Sequence, residues 1–177
     1  WDGRETAPAG ARPEMFTRPD GRPMTVGQAM VGGLSVATPG VVAMQAAAHG
    51  RHGKLPWARL IEPAIALAEQ GFALSPRLHA QLSGEQALRR DPQAAAYFYD
   101  EQGKPWPVGH RLKNPALARV LRGMAEKGAA AFYAGPVAAD MVRRVRGHAR
   151  PGPLSEADLA AYRPLLREPL CSDWLRY

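Results

Sequence analysis

The chain is short of several features that would assign it to common classes of protein. It has 177 residues and a single cysteine, Cys171, which excludes an intramolecular disulfide and a cysteine-based zinc site. It has no run of about 18 apolar residues, so we expect no membrane span. It does not begin with methionine, and Trp1-Asp-Gly-Arg contains no apolar segment typical of a signal peptide. We therefore interpret the chain as a segment of a longer protein.

The motifs that bind nucleotides and metals are also missing. The glycines fit neither a phosphate-binding loop nor a dinucleotide fingerprint, and the H-E-x-x-H motif is absent. His49 and His52 are three residues apart, but the nearest acid in sequence is Glu62, beyond a predicted helix break. A metal needs convergent ligands, so we interpret both histidines as helix-end residues and expect no metal and no cofactor.

The charge of the chain leaves a basic binding module open as an alternative. The formal net charge is +7, and such a balance is compatible with nucleic acid or an anionic surface. The arginines are scattered along predicted helices, which is typical of solvated helix faces. We therefore expect no nucleic-acid partner.

Capping residues predict where several helices begin. Thr38 with Pro39, Ser75 with Pro76, and Asn114 with Pro115 each combine an N-cap residue with a proline suited to a first turn. The helix after Thr38 is expected to end near Gly50 and Gly53, and Ser155 with Asp158 forms a loose capping box. The chain thus divides into a strand and loop region at 1–38, a helical region at 39–162 and a strand pair at 163–177.

The stretch from Gly33 to Phe72 carries the clearest pattern of predicted secondary structure in the chain. Leu34-Ser-Val-Ala is typical of the end of a buried strand, and a second helix is predicted from Pro56-Trp57. Pro63 lies inside that helical pattern, so we expect a kink or a break there. Apolar residues at helical spacing predict the faces of two helices that point to the core: Leu60, Ile61, Ile65, Leu67 and Ala68 in one, and Leu117, Val120, Leu121 and Met124 in the other.

The C-terminal residues are predicted to contribute to the fold and not to catalysis. Residues 163–170 and 174–177 are interpreted as two strands or strand ends around Cys171-Ser-Asp. No histidine or other base lies close to Cys171 in sequence, so it is interpreted as a structural residue and not a nucleophile. Tyr162 is interpreted as a packed tyrosine in preference to a ligand contact.

Several of these segments together resemble one known family. They are V-A-T-P-G, A-H-G-R-H-G-K-L-P-W-A and P-A-I-x-L-A-x-x-G-F within Gly33–Phe72, D-x-R-E-x-A-P at the N-terminus, N-P-x-L-A at Asn114, G-x-x-x-F-Y-x-G at Gly128, and D-L-x-x-Y ending at Tyr162. In this order they resemble the γ-glutamyltransferase (γ-glutamyl transpeptidase) family of N-terminal-nucleophile hydrolases. The family usually carries valine where this chain has Thr38.

The resemblance implies a fold and a place in a larger protein. Family members form a four-layer αββα sandwich, so the chain is expected to be an α+β, mostly helical fragment of that sandwich. Residues 1–177 correspond to a middle part of the large subunit, and the nucleophile domain is absent.

The resemblance also implies a reaction. Family members cleave their own precursor before a threonine, whose hydroxyl attacks the γ-glutamyl amide of glutathione or a related donor. The four threonines of this chain, Thr6, Thr17, Thr25 and Thr38, all lie outside a matching context. We therefore expect no catalytic residue here and a partner small subunit that bears the nucleophile. A periplasmic or secreted location is implied by the resemblance alone.

Arg4 is the one substrate-binding residue that the resemblance transfers to this chain. It matches the arginine that holds the α-carboxylate of the γ-glutamyl donor, and a guanidinium offers a planar fork of donors for that purpose. Asp2 and Glu5 are candidates for orienting this fork, and alternation along a strand would place Asp2 on the same face as Arg4. A purely structural pairing of Arg4 with Asp2 or Glu5 is the alternative.

Two other functions stay open at this point. Related acylases act on glutaryl or cephalosporin side chains, and Arg4 suits any donor that ends in a carboxylate. A non-enzymatic basic helical module that binds nucleic acid or protein is the second alternative.

Overall fold

A computed structural model describes residues 1–175 of the chain, which divide into two compact units. Unit 1 combines Trp1–Lys54 with the part of the chain from Gly128 onward. Unit 2 is the continuous segment Leu55–Lys127, so it interrupts unit 1 in sequence.

Helices dominate the described residues. The α-helices are α1 (Val26–Met30), α2 (Val41–His52), α3 (Trp57–Gln70), α4 (Pro76–Gly84), α5 (Pro92–Phe98), α6 (Pro115–Lys127), α7 (Ala130–Tyr133), α8 (Gly135–Arg146) and α9 (Glu156–Ala161). Two 3-10 helices span Pro13–Phe16 and Leu88–Arg90, and two short strands, β1 (Phe72–Ala73) and β2 (Arg111–Leu112), pair antiparallel. The mostly helical character predicted from the sequence is confirmed.

In unit 2, α3 packs against α6. Ile61 and Ala68 are buried on α3, and Ala118 and Met124 are buried on α6. The indole Nε1 of Trp57 donates to the carbonyl of Met124 at 2.8 Å, which joins the start of one helix to the end of the other. Helix α3 continues through Pro63, so the chain has no break there.

The apolar stripe of these two helices is narrower than predicted. Leu60 and Leu67 on α3 and Leu117 on α6 are about half exposed, contrary to the prediction that they face the core. Leu60 and Leu67 are seven residues apart and therefore share one side of α3, about 100° from the buried side that carries Ile61 and Ala68.

A second apolar cluster of unit 2 lies around β1 and β2. Its buried members are Leu74, Leu82, Tyr99 and Leu112, and Trp106 packs against them. The Tyr99 hydroxyl donates to the carbonyl of Leu82 at 3.0 Å, so its burial leaves no polar atom unpaired.

Gly71 makes the turn from α3 into β1 possible. Its φ is +80°, a backbone conformation that residues other than glycine rarely adopt. A Cβ at this position would also come within 2.7 Å of the Leu112 carbonyl oxygen.

In unit 1, the core forms where α8 meets α9. Ala138, Val145, Leu154 and Leu159 are buried together there. The predicted capping box is present: Ser155 Oγ accepts from the Asp158 N–H at 3.2 Å, and Asp158 Oδ2 accepts from the Ser155 N–H at 2.9 Å. Asp158 also accepts from the Ala9 N–H at 2.8 Å, so the same carboxylate attaches the N-terminal segment to α9.

The other predicted caps have mixed outcomes. Ser75 accepts from Leu78 N–H at 3.2 Å and Asn114 accepts from Leu117 N–H at 2.9 Å, so both caps are confirmed. Thr38 was expected to cap α2, but the N-cap residue is Gly40. The helix includes Gly50 and ends before Gly53, so Gly53 alone is its C-cap residue.

The predicted strands are wrong in the residues that the structure describes. Residues 34–37 are irregular, and a single isolated bridge follows them, between Thr38 and Thr6. In residues 163–175 the only β-structure is the isolated bridge from Leu165 to Asp2. Residues 176 and 177 lie outside the described part. A strand needs a neighbour to hydrogen-bond, and one bridge does not make a ladder. The region 1–38 also contains a 3-10 helix and α1, which were not predicted.

Within residues 1–175, no helix combines the length and the apolar character needed to cross a bilayer.

We predict that the core of unit 1 tolerates little loss of volume at Leu159. Leu159 is 1% exposed and Leu166 is 62% exposed, so the two leucines form a matched pair. Leu159→Ala should lower the free energy of unfolding by about 2–5 kcal/mol because it removes buried methyl groups and leaves a cavity. Leu166→Ala should change it by less than about 0.5 kcal/mol. Denaturant titration measures both, and equal effects would contradict this packing.

Candidate functional site

The residues around Arg4 are fixed to unit 1 by two backbone bridges. At one end, the Asp2 N–H donates to the Leu165 carbonyl at 2.7 Å, and the Leu165 N–H donates back at 3.0 Å. At the other end, Thr6 and Thr38 exchange the same pair of bonds at 3.3 and 2.9 Å. We call residues 2–6 the Arg4 segment. Both ends of this segment are therefore held by partners distant in sequence.

The peptide groups of Arg4 are held between these bridges. Its N–H donates to Asp2 Oδ1 at 2.8 Å. Its carbonyl accepts from the Tyr162 hydroxyl, also at 2.8 Å. The backbone that carries the arginine is thus bonded on both sides of its Cα.

The guanidinium itself is open. The Arg4 side chain is 81% exposed, and Nε lies 3.2 Å from Glu5 Oε1. Glu5 is its only ion-pair or hydrogen-bond partner among residues 1–175. The two terminal nitrogens therefore keep their donors for a ligand, and a planar carboxylate is the group that such a fork fits.

The two neighbouring carboxylates have different contacts. Glu5 Oε1 lies 3.2 Å from Nε of Arg4, a contact that both the orienting role and a purely structural pairing predict. Asp2 does not reach the guanidinium within the described residues, because its carboxylate accepts from the Arg4 N–H and from Arg167 instead. The Arg4 N–H and then Arg167 lower the pKa of Asp2, so this carboxylate is ionised at neutral pH. Asp2 thus contacts the backbone of Arg4, and no contact joins it to the Arg4 guanidinium in residues 1–175.

Tyr162 is buried behind the Arg4 segment. Burial, and then the negative charges of Asp2 and Glu5, raise the pKa of its phenol. The hydroxyl therefore stays protonated and able to donate at neutral pH. Its ring stacks on that of Tyr133, with centroids 6.1 Å apart and planes at 6°. The prediction of a packed tyrosine holds, but its bond to Arg4 was not foreseen.

Two glycines allow the Arg4 segment to approach α2 closely. A Cβ at Gly40 would collide with the Tyr162 hydroxyl and the Gly3 carbonyl. A Cβ at Gly3 would lie 2.5 Å from the Cβ of Met44 on α2. The sequence analysis missed the role of both glycines, although the P-G pair at Pro39 and Gly40 marked a turn.

A concavity opens beside the Arg4 segment. Its volume is about 380 Å³, and its polar lining comes from Thr6, Thr38, Asp158, Tyr162 and Arg163. Thr38 is 1% exposed, and its Oγ1 is buried without a hydrogen-bond partner in the described part of the chain. A buried hydroxyl without a partner is in general destabilising, so Thr38 is a position at which the stability can be tested.

Metal binding finds no support in the described residues. No group of three histidine, cysteine, aspartate or glutamate side chains converges within residues 1–175. His49 and His52 lie in the last turn of α2, and Cys171 is an exposed free thiol.

Comparison with known proteins gives the chain a family. The gamma-glutamyltranspeptidase family model matches residues 1–177. Glutathione hydrolase 2 of Arabidopsis thaliana is 34% identical over 177 residues, which cover 100% of this chain and 29% of that protein. Acylase ACY 1 proenzyme of Pseudomonas sp. (strain SE83) is 36% identical over 151 residues, which cover 85% of this chain and 26% of that protein.

A solved structure agrees with this assignment. The crystal structure of Helicobacter pylori gamma-glutamyltranspeptidase matches with a TM-score of 0.91 at 29% identity, over 99% of this chain and 50% of that chain. The chain belongs to the gamma-glutamyltranspeptidase family, which confirms the resemblance and the mostly helical fragment of the family fold. It spans under a third of the length of the two relatives, 29% and 26%.

We predict that replacing Thr38 by valine stabilises the protein. Valine has nearly the same shape and removes the unpaired hydroxyl, so the free energy of unfolding should rise by about 1–2 kcal/mol. Thr25→Val is the matched control with the opposite sign. Thr25 Oγ1 accepts from the Gln28 N–H at 3.3 Å at the start of α1, and loss of such a cap costs about 1 kcal/mol.

Denaturant titration of both variants decides the matter. A fall in stability for Thr38→Val would mean that the hydroxyl has a bonding partner, and it would contradict this account of the concavity.

Proposed function

We propose that Arg4 binds the α-carboxylate of a γ-glutamyl donor in the enzyme that contains this chain. The observation that carries the proposal is the contrast within one residue: the Arg4 backbone is hydrogen-bonded on both sides, while its side chain is 81% exposed. A residue that binds a ligand needs a fixed backbone and side-chain donors that are open to the ligand. The position matches the arginine of the family's D-x-R-E-x-A-P segment.

Glu5 supports this role by its geometry. It pairs with Nε and leaves the two terminal nitrogens for the donor. An exposed pair of this kind contributes little to stability, about 0–1 kcal/mol. We infer that Glu5 restricts the rotation of the guanidinium, and that Asp2 holds the N–H of Arg4.

The proposed enzyme transfers or hydrolyses the γ-glutamyl group of glutathione-like donors through a threonine acyl-enzyme. The nucleophilic threonine would come from the small subunit, and no cofactor is involved. The name of the Arabidopsis thaliana relative, a glutathione hydrolase, supports the donor class. The name of the Pseudomonas relative, a proenzyme, supports cleavage of a precursor into two subunits. A periplasmic or secreted location follows from the family resemblance.

This chain supplies substrate binding and no catalytic residue in the proposal. Thr6 and Thr38 pair with each other through their backbones, and Thr25 caps α1. None of the four threonines of the chain lies in a context that matches the family's nucleophile.

We predict that the purified chain does not release p-nitroaniline from γ-glutamyl-p-nitroanilide. The reason is that the nucleophile belongs to another polypeptide segment. Absorbance at the p-nitroaniline band measures the release, with the full enzyme as positive control. Turnover by the chain alone would contradict the proposed division of roles.

A related acylase is the second candidate function, because the Pseudomonas relative carries that name. Arg4 would serve a glutaryl donor equally well, since that donor also ends in a carboxylate. Comparing kcat/KM for γ-glutamyl and glutaryl anilides separates the two. The basic binding module has no comparable support, because several exposed arginines pair with carboxylates, among them Arg59 with Glu62 and Arg122 with Glu69.

We predict that Arg4→Ala raises the KM of the full enzyme for its donor by roughly 10- to 100-fold. Hydrogen bonds to charged groups contribute about 1.5–3 kcal/mol, and each 1.4 kcal/mol is a factor of ten. Arg4→Lys should recover only part of this loss, because lysine keeps the charge but not the planar fork.

Arg59→Ala is the matched control. Arg59 is also an exposed arginine, at 69%, and it pairs with Glu62 at 2.9 Å, so its loss should leave KM within about twofold of wild type. Steady-state kinetics with γ-glutamyl-p-nitroanilide gives all three values. An unchanged KM for Arg4→Ala would remove Arg4 from the site.

A further inference from the structure

We propose that Tyr162 is a positioning residue for donor binding, because its hydroxyl holds the carbonyl of Arg4 and thereby fixes where the guanidinium starts. The inference rests on the proposed function of Arg4 and goes one step further from the substrate. Tyr162 is 158 residues away from Arg4 in sequence, and the fold alone brings them together.

The hydroxyl of Tyr162 is itself held in place. Its ring stacks on Tyr133 at 6.1 Å. The Tyr133 hydroxyl in turn donates to the Pro39 carbonyl at 2.8 Å and accepts from the Ala43 N–H at 3.1 Å. Both tyrosines are thus tied to the start of α2. Gly40 lies there as well, and its missing Cβ leaves the space that the Tyr162 hydroxyl occupies.

The bond acts on the direction of the Arg4 side chain. Asp2 fixes the N–H of Arg4, and Tyr162 fixes its carbonyl, so the peptide planes on both sides of the Cα are defined. Those planes set the direction of the Cα–Cβ bond. A side chain that is 81% exposed has few other restraints, so the backbone bonds decide where its fork lies. Small misplacements of a substrate-binding group cost large factors in rate.

A merely structural role for Tyr162 would predict something different. A buried tyrosine that only stabilises the fold should affect all substrates alike. A tyrosine that acts through Arg4 should affect only donors with a carboxylate for Arg4 to bind. The choice of donor therefore separates the two roles.

The experiment uses the full enzyme with Tyr162→Phe, which keeps the ring and removes the hydroxyl. We expect KM for γ-glutamyl-p-nitroanilide to rise by roughly 3- to 10-fold, the range for loss of one neutral hydrogen bond. We expect kcat to change by less than about twofold, since the bond acts on binding. For 4-aminobutanoyl-p-nitroanilide, which lacks the α-carboxylate, kcat/KM should match that of wild type.

Tyr99→Phe is the matched control. Tyr99 is also buried, and its hydroxyl also donates to a backbone carbonyl, that of Leu82 at 3.0 Å. Its loss should lower the melting temperature and leave KM unchanged for both donors. Gly40→Ala is a second, less selective test, because the new Cβ would displace both the Tyr162 hydroxyl and the Gly3 carbonyl of the Arg4 segment. Its backbone angles, φ −116° and ψ −20°, suit alanine, so we expect the same donor-dependent rise in KM.

A double variant ties the effect to Arg4. If Tyr162 acts through Arg4, then adding Tyr162→Phe to Arg4→Ala should leave KM as it is in Arg4→Ala alone. Equal losses of kcat/KM with both donors, or an unchanged KM in both Tyr162→Phe and Gly40→Ala, would overturn the inference. The proposed function of Arg4 would survive either result, since it fails only if Arg4→Ala itself leaves KM unchanged.

Discussion

The hydrogen bond from the Tyr162 hydroxyl to the Arg4 carbonyl joins the two ends of unit 1 at the point where the candidate site is built. The other contacts of the site support this hydrogen bond. The bridges at Asp2 and Thr6 align the Arg4 segment, and Gly40 leaves room for the phenol. Burial and the neighbouring carboxylates keep that phenol protonated, so the bond keeps its donor at neutral pH.

An exposed arginine cannot be held rigid by surface ion pairs alone, because such pairs contribute little and compete with water. This structure restrains the backbone of Arg4 instead and leaves the side chain available. Glu5 adds a weak restraint at Nε without occupying the terminal nitrogens. Hydrogen bonds to buried and backbone groups therefore hold the Arg4 backbone rigid, while the Arg4 guanidinium remains exposed.

The sequence predicted local features better than distant ones. The caps at Ser75, Asn114 and Ser155 were correct, because a cap depends on residues within one turn. The strand at 34–37 and, as far as residue 175, the strands at 163–170 and 174–177 were wrong, because strand-like composition does not specify a partner. Arg4 was singled out through family resemblance, since most arginines with its surroundings are structural. Its contact with Tyr162 could not be read from spacing, because nothing local relates residues so far apart.

Because unit 2 interrupts unit 1 in sequence, the two parts of unit 1 are synthesised at different times. Leu55–Lys127 is continuous, so its helices can pack as soon as that segment has been synthesised. The Arg4 segment is synthesised before unit 2, but its partners Tyr162 and Leu165 are synthesised only after unit 2. Until then the segment has the bond from the Arg4 N–H to Asp2 and the bridge from Thr6 to Thr38, but the Arg4 carbonyl lacks its donor. A chain truncated before residue 162 would therefore contain all of unit 2 but an Arg4 segment without these two contacts.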